Sequence, residues 1–100
     1  MSPKLRAKID GNQTAVVAAL KARGWLVLSL AGVGKGCPDL LCYRPKYVAT
    51  GHELIQYPVR QWALVEVKAK RGTLTPWQVS FQAQGWPVTV VRTVAEAEAL

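Results

Sequence analysis

Three residues of this 100-residue chain stand where chemistry is easiest to build: Asp39, Glu66 and Lys68. Glu66 and Lys68 close the run Trp62-Ala63-Leu64-Val65-Glu66-Val67-Lys68, which reads as an apolar strand whose alternation puts both on one side. A carboxylate and an ammonium at the end of a run that otherwise favours burial are costly unless they are paired or used. Asp39 opens a second strand, Asp39 to Arg44, in which Asp39, Leu41 and Tyr43 share a face. If the two strands are neighbours, the carboxylates converge on one hard cation. Mg²⁺ or Mn²⁺ favours oxygen ligands and keeps several waters, so Asp39, Glu66 and a strand carbonyl, that of Val67, form a sufficient site. Such a cation acidifies a bound water and neutralises charge on a phosphoryl oxygen, while Lys68 orients or deprotonates the nucleophile and offsets the developing charge. This is the equipment of metal-assisted phosphodiester hydrolysis. The competing reading of Glu66 and Lys68 is a surface ion pair on a half-exposed sheet, which contributes little.

Composition agrees with a polyanionic substrate. Thirteen Lys and Arg against six acids give a net charge of +7, which favours nucleic acid over a membrane surface but carries no reaction by itself. Half the residues are hydrophobic, so the chain is globular and its length makes one domain with a modest core. No apolar run reaches the roughly 20 residues of a membrane span, and the N-terminus lacks the apolar core of a signal peptide. The expected location is the cytoplasm. Cys37 and Cys42 lack both a metal-binding spacing and the geometry for a mutual disulfide, so both are expected as reduced, packed thiols.

The elements that must hold these residues follow from caps and periodicity. Met1 to Gly11 is a basic tail, open to reading as a frayed end or as an arm on phosphates. Asn12 can cap a helix to about Arg23 that buries Val16, Val17 and Leu20 and stops at Gly24. A strand follows over Trp25 to Leu30. The loop from Ala31 to Pro38 has three glycines and Lys35, but Ser29 and Gly36 stand where a phosphate loop needs glycine and Ser or Thr. It is either a flexible turn or a loop that brings Lys35 and backbone amides to a phosphate. Residues 44–61 are the least readable stretch: 52–57 could be a short strand or a helical turn, and His52, the only histidine, reads as solvated. Lys70 and Arg71 make a basic turn suited to phosphate contacts. Thr75, Pro76 and Gln78 open a helix with a capping box, ending near Gly85. Pro87 to Arg92 is a Val-rich strand of the parallel-sheet kind, and Thr93 with Glu96 caps a closing helix. The expected fold is α/β, a mixed sheet flanked by helices, with the second and central strands antiparallel and the last returning through a right-handed crossover.

Gly36-Cys37-Pro38-Asp39, Leu64-Val65-Glu66-Val67-Lys68-Ala69 and Gly72-Thr73-Leu74-Thr75-Pro76-Trp77-Gln78 together resemble the PD-(D/E)XK nuclease superfamily. The likeness is greatest to the VRR-NUC branch in its small stand-alone form, often found in phages and prophages. It covers nearly the whole chain as a single nuclease domain, residues 1–100, with 1–11 a basic tail and 44–61 a variable insertion. The resemblance implies a restriction-endonuclease-like core, Asp39 and Glu66 as ligands of the divalent metal, Lys68 serving the nucleophile and Gln78 supporting the site. Many relatives carry a glutamate on the first helix. Here Asn12 or Gln13 holds that region, which leaves a second metal open. Stand-alone members look like Holliday junction resolvases. The resemblance therefore implies a homodimer cutting branched DNA in a bacterial or phage-infected host, with Mg²⁺ (or Mn²⁺) and no small-molecule cofactor. A flap, nicking or restriction-like nuclease and a catalytically weak nucleic-acid-binding module are the alternatives.

Overall fold

The computed structural model describes residues 11–49, 51 and 56–100. The basic tail over residues 1–10, His52 and the rest of 52–55 lie outside them. Helix α1 (Gly11–Ala22) buries Val16 and Leu20 completely, one turn apart on one stripe. It closes as a Schellman turn: the Trp25 amide donates to the Leu20 carbonyl at 3.1 Å, and that of Gly24, at φ +87°, to Lys21 at 3.0 Å. Buried Trp25 and Leu20 supply the apolar contact that accompanies this motif. Asn12 is inside this helix rather than its cap, and its side chain is spent elsewhere.

Strands β1 (Leu26–Ser29), β2 (Leu40–Ala49), β3 (Gln56–Val67) and β4 (Val88–Val91) form one sheet in the order 1-2-3-4. The first two pairings are antiparallel and β3 with β4 is parallel, so the mixed α/β sheet flanked by helices is as expected. Alternation assigns the faces. Leu40 and Cys42 of β2, Val65 and Val67 of β3 and Val91 of β4 turn into the core with α1 and with Ala97 of α3 (Val94–Glu98). Leu26, Leu28 and Trp62 on the opposite face stay largely open, and Trp62 packs on Tyr43 across the strands with ring centres 4.6 Å apart. Helix α2 (Pro76–Ala83) forms the crossover from β3 to β4 and buries no residue fully. Among the described residues, no helix is long and apolar enough to cross a membrane.

Of the stretch that the sequence left least readable, residues 44–49 and 56–61 are strand. From Arg44↔Gln61 to Ala49↔Gln56 the two strands continue in unbroken register as a β2–β3 ribbon beyond the four-stranded sheet. The prolines that obscured it, Pro45 and Pro58, are tolerated because of where their missing N–H groups fall. Asp39 bonds through its carbonyl to Leu30 on the β1 side, and Lys68 through its amide to Val91 on the β4 side. Counting by twos from those bonds, Pro45 and Pro58 both face the ribbon's outer edges, where no ladder bond is lost. Arg44 anchors the root of the ribbon. Its guanidinium lies 4.3 Å over the Trp25 ring and donates to Gln61 Oε1 and to the carbonyls of Arg23 and Leu100.

The capping expectation holds fully for α2 and partly for α3. Thr75 and Gln78 exchange both bonds of a capping box, with Pro76 at the first helical position. Thr93 accepts from the Glu96 amide, but Glu96 Oε1 reaches one residue further back, to the Arg92 amide at 2.6 Å. That bond fastens the end of β4 to α3 instead of closing the box.

Candidate metal centre

Asp39 and Glu66 do meet, and the sheet register is the reason. Leu40 pairs with Val65; continued by one residue, the register sets Asp39 opposite Glu66. Because the Asp39 carbonyl is turned to β1, the two form a non-hydrogen-bonded antiparallel pair, the kind in which side chains stand closest. The β2 backbone no longer serves Val67, so Asp39 Oδ2 takes its place and accepts the Val67 amide at 2.7 Å. Val67 thus lies at the carboxylate pair by its backbone, while its side chain is in the core.

Glu66 belongs by alternation to the outer face of the sheet, yet it is only 2% exposed. Gln78 Nε2 donates to Glu66 Oε2 at 3.1 Å. Gln78 acts twice: its Oε1 accepts the Thr75 amide in the capping box while its amide group holds Glu66. Burial foremost, then a hydrogen bond to Asp39 and the Asp39 charge, push the Glu66 carboxyl up to about 8, with Lys68 working in the opposite direction. Without a cation, these surroundings favour the protonated form of the Glu66 carboxyl, hydrogen-bonded to Asp39.

The glycine-rich loop is not the free turn that its composition allows. Gly36, at φ +79°, lies against α2 so closely that a Cβ there would be 2.1 Å from the Trp77 carbonyl oxygen. Only glycine fits, and the contact clamps the approach to Asp39 against the helix that carries Gln78. Lys35 is exposed in the left-handed region at φ 55°. Lys70 and Arg71 are exposed on the turn after β3, which Arg92 pins by donating to the carbonyls of Ala69 and Gly72.

Asn12 is tied to the strand ends beside the pair. Its Nδ2 donates to the Lys68 carbonyl at 3.1 Å and to the Arg92 carbonyl at 2.7 Å, which ties α1 to the ends of β3 and β4 and fixes the backbone that carries Lys68. Gln13 is buried on α1; among the described residues, the hydrogen bonds recorded on the two carboxylates come from Val67 and Gln78 and from the pair itself. Cys37, expected only as a packed thiol, is a further neighbour of the pair. Its thiol is pushed up by burial and by the charges of Glu66 and Asp39, which places it beside the pair, whereas Cys42 is a core thiol raised to about 11 by burial. Its position two residues before Asp39 was the available signal.

The donor set is two carboxylates with a strand backbone beside them, and among the described residues no three His, Cys, Asp or Glu side chains are grouped so as to hold a metal ion. Oxygen ligands few in number suit a cation that retains water, as Mg²⁺ does. A cation would also relieve the crowding of the two carboxyl groups that raises the Glu66 carboxyl. A cavity of about 670 Å³, lined by Trp25, Trp62, Leu64 and Trp86 among others, has no acid, base or thiol side chain in its wall. Compared with known protein families, curated proteins and solved structures, the chain matches none.

Proposed function

We propose that this protein is a divalent-metal-dependent endodeoxyribonuclease of PD-(D/E)XK, VRR-NUC-like type on a restriction-endonuclease-like core, acting on branched DNA as a Holliday junction resolvase does. The observation that carries the reading is the carboxylate pair: Asp39 and Glu66 joined across β2 and β3, on the Val67 amide and under Gln78, with Lys68 close enough to act on the Glu66 charge. Asp39, Glu66 and the Val67 backbone would hold Mg²⁺ or Mn²⁺, which supplies Lewis acidity and neutralises phosphoryl charge. Gln78 keeps the Glu66 carboxyl oriented, and the Asn12 bond to the Lys68 carbonyl holds the strand end from which the ammonium reaches the nucleophile or the phosphate. Lys35, Lys70 and Arg71 are the phosphate contacts of this reading. The open apolar sheet face, with Leu26 69% and Trp62 61% exposed, supports a homodimer, whose two-fold axis suits symmetric cuts.

The test is cleavage of a labelled four-way junction beside duplex and flap controls, with Mg²⁺, Mn²⁺ or EDTA, for wild type, Glu66→Ala and Lys68→Ala. Paired cuts that vanish with EDTA and in both variants support the resolvase-like reading. Cleavage of flaps alone keeps the chemistry and rejects the junction. One observation favours the binding-module alternative: α1 (Gly11–Ala22) brings no acid to the pair. Tight binding with no cleavage in either metal would select that alternative.

A further inference from the structure

We propose that Trp77 is a stacking platform for an unpaired nucleobase beside the candidate cleavage site. The proposal rests on the nuclease reading and names the substrate class more narrowly: DNA in which a base near the scissile phosphate is unpaired or readily unstacked. Trp77 is the second residue of α2 and is 63% exposed. Its indole is not filling the core, because α2 has no buried residue. Nor is it engaged with another ring: among the described residues the aromatic contacts are Tyr43 with Trp62 and Phe81 with Trp86.

The backbone beneath this ring is nonetheless fixed. The Trp77 carbonyl is packed against Gly36, and the reciprocal Thr75–Gln78 bonds span it on both sides. An indole on an anchored backbone has two side-chain torsions left to order, so it offers a large flat surface at low entropic cost. The same contacts make it one unit with the carboxylates. Gln78, its neighbour, holds Glu66, and Gly36, under its carbonyl, is three residues before Asp39. The surroundings suit a polyanion. The sequence has no acid between Asp39 and Asp10 or between Glu66 and Glu96, and Lys35, Lys70 and Arg71 are exposed on the adjoining loop and turn.

A base inside a duplex has both faces covered by its neighbours, so a flat exposed indole can be used only by a base that has left the stack. Base–aromatic stacking contributes about 1–3 kcal/mol per base, which is roughly 5- to 150-fold in affinity.

The test is binding by the full chain in EDTA, where no cutting occurs, to three hairpin duplexes: fully paired, with one unpaired 2-aminopurine, and with an abasic site in its place. Fluorescence anisotropy gives affinity and 2-aminopurine quenching reports stacking. Wild type is expected to prefer the unpaired base over the abasic site by roughly 5- to 150-fold, with quenching. Trp77→Ala should lose preference and quenching while its affinity for the paired duplex stays the same; Trp77→Phe should keep part of both. Trp86→Ala, which removes another exposed indole, should change neither. DNA binding without preference, or preference that survives Trp77→Ala, overturns the stacking site and leaves the nuclease reading standing. No binding to any of the three hairpins overturns both.

Discussion

Replacing Glu66 by glutamine should stabilise the metal-free protein, and by more as the pH rises. In the folded state the Glu66 carboxyl titrates at about 8, against an ordinary value of 4.5. A group whose folded pKa is raised contributes stability in full below its unfolded pKa and loses it as pH rises through the folded one. Between pH 4.5 and 8 the folded chain holds a proton that the unfolded chain has released, so the pH window follows from those two values. At 1.36 kcal/mol per unit, the loss on forcing Glu66 to ionise is on the order of 2–5 kcal/mol, the lower end applying where water enters the site. Glutamine keeps the shape, accepts from Gln78 as before and donates to Asp39 without titrating. For a chain of this length about 1 kcal/mol moves Tm by roughly 4–8 °C, so the variant's advantage should grow by about 10 °C or more between pH 5.5 and 9. Thermal melts across that range in EDTA measure it directly. Mg²⁺ should then raise the wild-type Tm more at pH 8 than at pH 6, and barely move that of the variant. A wild-type-minus-variant difference that stays flat with pH, or wild type gaining on Glu66→Gln as pH rises, would refute the burial and the raised carboxyl assigned to this residue.

Gly36→Ala drives a Cβ into the Trp77 carbonyl and the Gln78 amide; urea titration should show a loss of about 2–4 kcal/mol. Gly34→Ala, at φ +74° with nothing within 4 Å, should lose only about 1 kcal/mol. Thr75→Ala removes the acceptor of the Gln78 amide and should lower stability by about 1 kcal/mol, read in the same titration. Arg44→Lys keeps the charge but loses the planar contact with Trp25 and the fork that spans Arg23, Gln61 and Leu100. A loss of about 1.5–3 kcal/mol is expected, and a variant as stable as wild type would remove Arg44 from the anchoring role.

What the sequence determined by itself was local. Thr75, Pro76 and Gln78 announce the start of α2 because a cap is satisfied within four residues. Val16 and Leu20 announce the buried stripe of α1, and the run ending at Glu66 announces β3, because burial follows the period of the element. Asp39, Glu66, Lys68 and Gln78 could be singled out as candidates for the same reason, since each lies at a readable position on its own strand or helix. Their meeting was not legible. It depends on the Leu40–Val65 register, and a slip of one residue would separate the carboxylates while leaving each strand's pattern intact. Asn12 shows the limit from the other side: a good capping residue became a clamp on the Lys68 and Arg92 carbonyls, 56 and 80 residues away. The ribbon formed by residues 44–49 and 56–61 was hidden because Pro45 and Pro58 break a strand locally and are harmless only on a free edge, and which edge is free is decided by the whole sheet. Charge, caps and periodicity are short-range and remain in the chain. Register, burial of Glu66 and the contact of Gly36 with α2 exist only once distant segments pack.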